Sequence, residues 1–322
     1  MDLLNHWQRD FPLVDAPFAA IGVVHGLAEA EVLQHYRHAL ADQRLSRIGG
    51  VWGAGAGGAA LLCAYAVAPE RLAAVAAIVD AEPGVNHNYE REHRFNLWFV
   101  VTGGERDAVR RAVDRLDAAA GLVALRLVMQ RAYRIDLGFD LRSDIAAPRA
   151  TLDACAVPPV QVQDRPLAAL LEQGLPLVPR PYAVWASTLQ CRPDEVRATL
   201  ARWMNEGTLR RFGAIVRHHE FGFAHNAMTV FDVADDAVDA HAALLARQRG
   251  VTLCYRRERA SAWRYNLYCM VHGRDRASVR ECIAAATQAS GLAAVSQAVL
   301  FSKRRFKQIG ARYFAAPVAV AA

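Results

Sequence analysis

The sequence has almost no lysine and no long apolar run. Lys303 and Lys307 are the only lysines among 38 basic residues, and no apolar stretch approaches the roughly 20 residues that a membrane-spanning helix needs. The first residues, MDLLNHWQRDF, carry charges and a histidine where a signal peptide would be apolar. These absences argue against a membrane protein and against export, so a cytoplasmic location is expected.

Cysteine is present, but it does not have the spacing of a metal site. The six cysteines are scattered and none forms a C-x-x-C pair, which is typical of free thiols in a reducing compartment. The net charge is +6 and is carried by arginine. Arginine binds carboxylates and phosphates with two parallel hydrogen bonds, although a GC-rich genome would also favour it. The charge therefore leaves nucleic acid and a small polyacid open as ligands.

The two halves of the chain repeat each other. Several segments match in the same order: PLVDAPFAAIG from Pro12 with PLVPRPYAVWA from Pro176, LSRIGGV (45–51) with LRRFGAI (209–215), GVNHNYERE (84–92) with GVTLCYRRE (250–258), and FNLWFVVTG (95–103) with YNLYCMVHG (265–273). The chain is thus predicted to be a duplicated module, with a first half over 1–141, a linker over 142–164, a second half over 165–314 and a tail over 315–322.

Each half has the same predicted order of elements. Predicted helices cover 2–9, 16–24, 28–42, 69–81 and 105–120 in the first half, and 166–173, 181–188, 193–206, 235–249 and 275–290 in the second. Predicted strands cover 60–67, 85–91, 95–101 and 122–130, then 226–233, 251–257, 265–271 and 293–301. Three short helices followed by βαββαβ predict an α+β fold. Helix-turn-helix units (about 1–50 and 165–215) would precede ferredoxin-like sandwiches (about 58–141 and 224–314) in an intrachain pseudo-dimer.

A glycine-rich stretch, GAGAGG over 53–58, spells the dinucleotide-binding pattern G-x-G-x-x-G. That pattern needs a helix after it, whose N-terminus binds the pyrophosphate. Here ALLCAYAV follows and is typical of a strand. The glycines are therefore expected to form a loop between the helical unit and the sandwich, and not a dinucleotide site.

The predicted architecture is also that of Lrp/AsnC-type transcription factors. A recognition helix should present basic or amide side chains to the bases. The third helix of the first half instead begins with Glu29 and Glu31, and its counterpart begins with Asp194 and Glu195. Acids would face phosphates there, which argues against nucleic acid as a partner.

Polar side chains concentrate in the central strands of the first half, HNYEREHRFNLW over 87–98. Strand alternation places His87, Tyr89, Arg91 and His93 on one face. Such a face would suit an anionic, aromatic ligand, with arginine holding a carboxylate and histidine donating a proton or binding a metal. A solvated strand with incidental histidines is the alternative.

The second half keeps Tyr255 and Arg257 at the matching positions, but Leu253 replaces the first histidine. It carries His218 and His219 elsewhere. The halves have thus diverged in chemistry, which favours a site at the joint between them.

The segments HNYEREHRFNLW, CYRRERASAWRYNLYCMVHG and RRFGAIVRHHEFGFAHNAM resemble siroheme decarboxylases over nearly the whole chain. The chain looks like the two subunits of that enzyme fused, the form associated with d-type heme synthesis in denitrifiers. The resemblance implies removal of the C12 and C18 acetate carboxylates of siroheme, giving 12,18-didecarboxysiroheme. It implies no cofactor beyond the iron of the substrate.

The resemblance also implies roles for individual residues. Arg91 would pair with the reacting acetate, His93 would supply the proton, and Tyr89 and His87 would orient or coordinate. Residues implied in substrate binding are Arg94, Asn96, Trp98, His218, His219, Tyr255, Arg256, Arg257, Arg259 and Trp263. The siroheme iron would be bound by His87, His93 or His219. A transcriptional regulator and a tetrapyrrole-binding sensor stay as alternatives, and the chain is expected to be a monomeric pseudo-dimer or a homodimer.

Overall fold

A computed structural model describes residues 2–135, 138, 140–143 and 157–314. The helices and strands of the first repeat are α1 (Asp2–His6), α2 (Pro17–His25), α3 (Glu29–Ala41), β1 (Leu45–Trp52), β2 (Ala59–Tyr65), α4 (Leu72–Ala81), β3 (Val85–Arg91), β4 (Leu97–Gly103), α5 (Arg106–Ala120), β5 (Leu125–Leu127) and β6 (Met129–Ile135). Those of the second repeat are α6 (Arg165–Gln173), α7 (Pro181–Leu189), α8 (Pro193–Asn205), β7 (Leu209–Val216), β8 (His225–Phe231), α9 (Val238–Leu245), β9 (Val251–Arg257), β10 (Leu267–Gly273), α10 (Arg276–Ala289) and β11 (Gln297–Gln308).

The described residues form two compact units, and each unit draws on both repeats. The first unit holds 2–57, 157–221 and 313–314, and so contains the helices of both helix-turn-helix segments together with β1 and β7. These two strands pair antiparallel, with Gly49 opposite Gly213. The pairing was not predicted, because the two strands lie within stretches assigned to the helical units. Glycine is required at Gly213, since a Cβ there would lie 2.5 Å from the carbonyl oxygen of Trp7.

The second unit is built on a nine-stranded antiparallel sheet in the order β5-β2-β4-β3-β11-β8-β10-β9-β6. Its two edge strands, β5 and β6, are separated in the chain by Val128 alone. The sheet must therefore curl until its edges meet at that residue.

The last strand of each repeat pairs with a strand of the other repeat. Residues 297–301 of β11 pair with β8 of their own repeat, and residues 302–308 pair with β3 of the first repeat. In the first repeat, β5 pairs with β2 of the same repeat and β6 pairs with β9 of the second. The predicted single strands 122–130 and 293–301 were therefore wrong in extent, while the α+β pseudo-dimer is confirmed.

Side chains of the sheet alternate between two kinds of core. One face packs on helices: on α4 and α5 in the first repeat, and on α9 and α10 in the second. The other, which we call the inner face, packs residues of both repeats against one another, including Trp98, Leu127, Met228, Trp263, Tyr268 and Leu300. The inner face is thus shared by the two halves, as expected for strands that alternate with period two.

Several boundaries differ from the sequence prediction. The helix predicted over 235–249 is shortened to α9, and the strands expected at 95–101 and 265–271 begin two residues later as β4 and β10. The glycine-rich stretch does lie in the loop between β1 and β2, as predicted. The tail and residues 144–156 of the linker lie outside the described residues. None of the helices within the described part is both long and apolar enough to span a membrane.

Candidate active site

Three of the expected site residues lie on the inner face of β3. His87 and Tyr89 stand opposite Val100 and Trp98 of β4, and both partners pack in the inner core. Residues directly opposite in antiparallel strands share a face, and Arg91 follows by the same alternation. The shared face predicted from the sequence is confirmed for these three residues.

The guanidinium of Arg91 is buried and reaches the second repeat. Its Nη1 donates to the carbonyl oxygen of Leu300 at 3.1 Å and to the side-chain oxygen of Asn226 at 3.4 Å. It also lies over the ring of Tyr89, 5.5 Å from the centroid. Burial lowers the pKa of Arg91 to about 10, so it is still charged at neutral pH. A buried cation held only by neutral groups is suited to bind an anion.

His87 is held as a neutral ring. Burial, with a smaller contribution from the charge of Arg91, lowers the pKa of His87 to about 4. Its Nδ1 lies 2.9 Å from the side-chain oxygen of Asn86, which assigns the proton to Nδ1 and leaves a lone pair on Nε2. The ring stacks on Tyr89 with centroids 6.3 Å apart, and burial raises the pKa of Tyr89.

His93 does not lie on the strand. Because β3 ends at Arg91, His93 falls in the turn that follows, and the alternation predicted through it was wrong. The backbone N–H of Phe95 donates to its Nδ1 at 3.1 Å, so a neutral His93 ring carries its proton on Nε2. Burial, followed by the charge of Arg94, lowers the pKa of His93.

An aromatic cluster drawn from both repeats surrounds His93. The ring of Trp263 meets His93 edge-on at 5.1 Å and Trp98 at 5.0 Å. The indole N–H of Trp263 donates to the hydroxyl of Tyr268 at 2.7 Å, and that of Trp98 donates to the carbonyl oxygen of Phe95 at 2.7 Å. Both tryptophans are buried and use their N–H groups internally, so they belong to the packed inner core beside His93.

Asn96 and Arg94 make backbone contacts. The side-chain amide of Asn96 donates to the carbonyl oxygen of Val67 at 2.8 Å and accepts from the N–H of Val67 at 2.9 Å. Arg94 is exposed and donates to the carbonyl oxygen of Ala262 at 3.1 Å. The amide of Asn96 is thus occupied in fixing the chain beside β2.

The second repeat places Tyr255 and Arg257 as Tyr89 and Arg91 are placed in the first. Arg257 donates to the carbonyl oxygen of Leu127 at 2.9 Å and lies 5.3 Å from the centroid of Tyr255. The Tyr–Arg pair is therefore repeated on the inner face, with each arginine bonded to a backbone carbonyl of the other repeat.

Arg256 and Arg259 are paired with acids of their own repeat. Arg256 contacts Asp235 at 3.3 Å, while Arg259 contacts Asp235 at 2.7 Å and Asp232 at 3.1 Å. Arg256 stands opposite Leu267 of the helix-packed core, and so points away from the inner face. The structure does not gather these two guanidinium groups with Arg257.

His218 and His219 belong to the other compact unit. They open a short 3-10 helix, His218–Phe221, and His218 is buried. All other expected site residues belong to the second unit. The fold therefore does not place these two histidines in the same unit as His87 and His93.

Several inner-face residues were missed by sequence reasoning. Asn226 contacts Arg91, and Ser302, Arg305 and Gln308 stand opposite Arg91, Tyr89 and His87 on β11. The basic run SKRRFKQ followed a strand that was predicted to end at 301. Two bulges within it interrupt the alternation that would have marked it as a strand.

The inner face therefore combines groups suited to an anionic aromatic ligand. It offers a buried cation, a neutral imidazole with a lone pair on Nε2, and aromatic rings. A second imidazole in the adjoining turn carries a proton on Nε2. These groups can hold a carboxylate, bind a metal ion carried by a ligand, and exchange a proton.

Comparisons with known proteins point in one direction. The AsnC-like ligand binding domain matches residues 56–134 and 220–307, and the siroheme decarboxylase NirDL-like HTH domain matches residues 1–44 and 164–210. The siroheme decarboxylase NirDL subunit of Paracoccus denitrificans is 40% identical over 96% of this chain and 95% of its own length.

Two further similarities concern a half-length relative and a solved structure. The siroheme decarboxylase NirD subunit of Pseudomonas aeruginosa is 44% identical over 44% of this chain and 94% of its own length. The crystal structure of the siroheme decarboxylase NirDL in complex with an iron-uroporphyrin III analogue superposes with a TM-score of 0.68 at 27% identity. The match covers 97% of this chain and 93% of that one.

Proposed function

The chain belongs to the siroheme decarboxylase family, and we propose that it removes the carboxylates of the C12 and C18 acetates of siroheme to give 12,18-didecarboxysiroheme. The observation that carries this is the buried Arg91 on an inner face that also holds Tyr89 and His87. The substrate is an aromatic macrocycle with many carboxylates, and the inner face matches that chemistry.

Each decarboxylation is a non-oxidative carbon–carbon cleavage. The bond between the acetate methylene and its carboxyl carbon breaks, carbon dioxide leaves, and the electron pair stays on the methylene. The conjugated ring spreads that charge until a proton adds and a methyl group results. No electrons are gained or lost overall, so the reaction needs no redox cofactor.

Arg91 holds the reacting acetate in this proposal. Its burial strengthens a charge-assisted pair with a carboxylate, and its fixed contacts with Leu300 and Asn226 set the direction of the guanidinium. Tyr89 lies under the guanidinium and helps to orient it.

His93 supplies the proton. Its Nδ1 is occupied by the N–H of Phe95, so the exchangeable proton is on Nε2. Burial lowers the pKa of free His93, whereas an anionic macrocycle nearby would raise it. Substrate binding would therefore charge His93 where the proton is needed.

His87 would bind the siroheme iron through the lone pair on its Nε2. It is neutral at physiological pH, and its Nδ1 is held by Asn86. A ligating histidine commonly has its second nitrogen held in this way. Loss of the ligand in His87→Ala would be seen as a change in the absorption spectrum of the bound iron macrocycle.

The remaining expected residues receive narrower roles. Tyr255 and Arg257 hold another peripheral carboxylate, and the buried Trp98 and Trp263 form the aromatic cluster around His93. The salt bridges of Arg256 and Arg259 and the backbone contacts of Asn96 favour structural roles for those residues. The substrate-binding roles of Arg94, His218 and His219 stay predictions from the sequence.

Other readings are less well supported by the residues. Helices α3 and α8 carry acids in their first turns, Glu29 with Glu31 and Asp194 with Glu195, which would repel DNA phosphates. The exchange of strands between repeats already supplies each half with its partner. We therefore infer a monomeric pseudo-dimer, with a homodimer as the second possibility. The free thiols of the five described cysteines favour a cytoplasmic location.

The direct test is anaerobic incubation of siroheme with the purified chain, followed by mass spectrometry. We expect stepwise loss of carbon dioxide, and Arg91→Gln is expected to lower turnover about 100-fold or more, as for loss of one preorganised electrostatic contact. Arg257→Gln is the comparison variant, because it removes the same kind of bond to a backbone carbonyl beside a strand without the histidine. As Arg257 only binds substrate in this proposal, this variant should raise KM and leave kcat unchanged.

Absence of any carbon dioxide loss from siroheme would refute the enzyme assignment. A bound but unaltered chromophore would indicate a sensor or carrier instead. Equal loss of kcat in the Arg91 and Arg257 variants would show that the effect of Arg91→Gln does not come from contact with the reacting acetate.

A further inference from the structure

The last strand of the second repeat completes the polar face of the first. Over residues 302–308, β11 pairs with β3 so that Arg305 stands opposite Tyr89 and Gln308 stands opposite His87. Paired residues share a face, so both side chains belong to the inner face. A segment far away in sequence therefore contributes to the candidate active site.

Side-chain contacts support this placement. The Nη1 of Arg305 donates to the side-chain oxygen of Gln308 at 3.2 Å, and Ser302 shares Asn226 as a partner with Arg91. Lys307 instead bonds to the carbonyl oxygen of Asp80 beside α4, because a bulge turns it to the helix-packed face.

The equivalent position beside Tyr255 in the second repeat is apolar. There β6 pairs with β9, so that Ala132 stands opposite Tyr255 and Ile135 stands opposite Leu253. The Tyr–Arg pair is kept at both places, but Arg305 and Gln308 are replaced by apolar side chains. Framework requirements should act equally on the two pseudo-equivalent strands, so the extra arginine calls for a ligand-based reason.

Charge strengthens that reason. Arg91 and Arg305 both carry positive charge, and both lie beside Tyr89. A ligand with more than one carboxylate can pair with both guanidinium groups, because arginine binds a carboxylate with two parallel hydrogen bonds.

We propose that Arg305, lent by the second repeat, is a substrate-binding residue that holds a peripheral carboxylate of the tetrapyrrole other than the one that reacts at Arg91. This inference rests on the proposed function. It assigns the site beside β3 a recognition residue that the pseudo-equivalent place beside β9 lacks.

The test is steady-state kinetics of Arg305→Gln with siroheme, together with an absorption titration with iron-uroporphyrin III. Loss of a charge-assisted pair should raise KM and the dissociation constant about tenfold or more, while kcat stays within about twofold because the reacting groups are unchanged. Arg304→Gln is the matched control. Arg304 is exposed, stands opposite Glu90 and lies over the ring of Phe306 on the other face, and its KM should equal that of the wild type.

Arg305→Lys guards against a folding defect. It keeps the charge but loses the planar fork, so its KM should lie between the values for the wild type and Arg305→Gln. An unchanged KM in both variants, or a loss of kcat alone, would overturn the role of Arg305. If the wild-type chain itself failed to alter siroheme, the proposed function would fail first and independently.

Discussion

At the scale of single residues, the face of a strand decides what an arginine does. Arg91 and Arg257 lie on the inner face, bonded to backbone carbonyls and stacked on tyrosines. Arg256 and Arg259, within two residues of Arg257, are neutralised by Asp235 and Asp232. The positive charge of this chain is thus divided between structural ion pairs and a buried surface that can take an anion.

The low pKa of His87 predicts a loss of stability in acid. The folded group stays neutral down to about pH 4, whereas the unfolded group takes up a proton near pH 6.5. The unfolded state therefore binds more protons in this window, and stability falls as the pH falls through it. The free energy of unfolding, measured with urea on the ligand-free chain, should fall between pH 7 and pH 5 by about 2 kcal/mol less in His87→Gln than in the wild type.

The matched control for this measurement is His35→Gln. His35 is exposed on α3, so its replacement should leave the acid sensitivity of the chain unchanged. Parallel pH curves for the wild type and His87→Gln would show that His87 is not held neutral by its burial.

At the scale of elements, the ends of strands are fixed by side-chain amides in both repeats. Just before β4, the side chain of Asn96 bonds to the N–H and carbonyl groups of Val67, and its Oδ1 accepts from the N–H at 2.9 Å. Just before β10, Asn266 bonds to Val233 in the same way, and its Oδ1 accepts from the N–H at 3.0 Å. The same device at equivalent places indicates that it serves the framework of the sandwich and not one ligand.

We therefore predict that Asn96→Ala affects stability and not substrate binding. Its removal leaves the N–H and carbonyl groups of Val67 without their partner, which costs about 1–3 kcal/mol. The free energy of unfolding should fall by that amount, while the dissociation constant for iron-uroporphyrin III stays unchanged at a temperature where the variant is folded.

Asn266→Ala should behave in the same way, since its contacts are equivalent. A rise of tenfold or more in the dissociation constant with Asn96→Ala alone, at unchanged stability, would return Asn96 to the substrate site, where sequence reasoning first placed it.

At the scale of the whole molecule, the duplicated fold has two unequal regions on its inner face, one around β3 and one around β9, and we call each of them a face below. The Tyr–Arg pair occurs twice, but its surroundings differ. On β3 and its partner β11, the neighbours of the pair are His87, Arg305 and Gln308. On β9 and its partner β6, the equivalent residues are Leu253, Ala132 and Ile135. Strand exchange makes both faces composite, because each is built from residues of both repeats. Divergence of the repeats could therefore specialise one face without loss of the fold.

This inequality predicts that both acetates react at one place. Arg91→Gln should block both losses of carbon dioxide, and Arg257→Gln should block neither, because only the face beside β3 holds the histidines. Mass spectra of the end products distinguish the cases. An Arg91 variant that accumulates a product lacking one carboxylate would show that the second face also works.

The sequence by itself determined the duplication, the βαββαβ order and the common face of His87, Tyr89 and Arg91. These follow from local periodicity and from matches between the repeats, which need no knowledge of distant contacts. The acids at the starts of α3 and α8 likewise argued against a transcriptional regulator, and the strand after GAGAGG argued against a dinucleotide site.

Tertiary structure decided which residues complete the face. Arg305 and Asn226 reach β3 only because the second repeat pairs its strands with the first. The turn at His93 and the ion pairs of Arg256 depend on where β3 ends and on which acids lie nearby. Pairing between distant strands is set by long-range packing, so a linear pattern carries little sign of it.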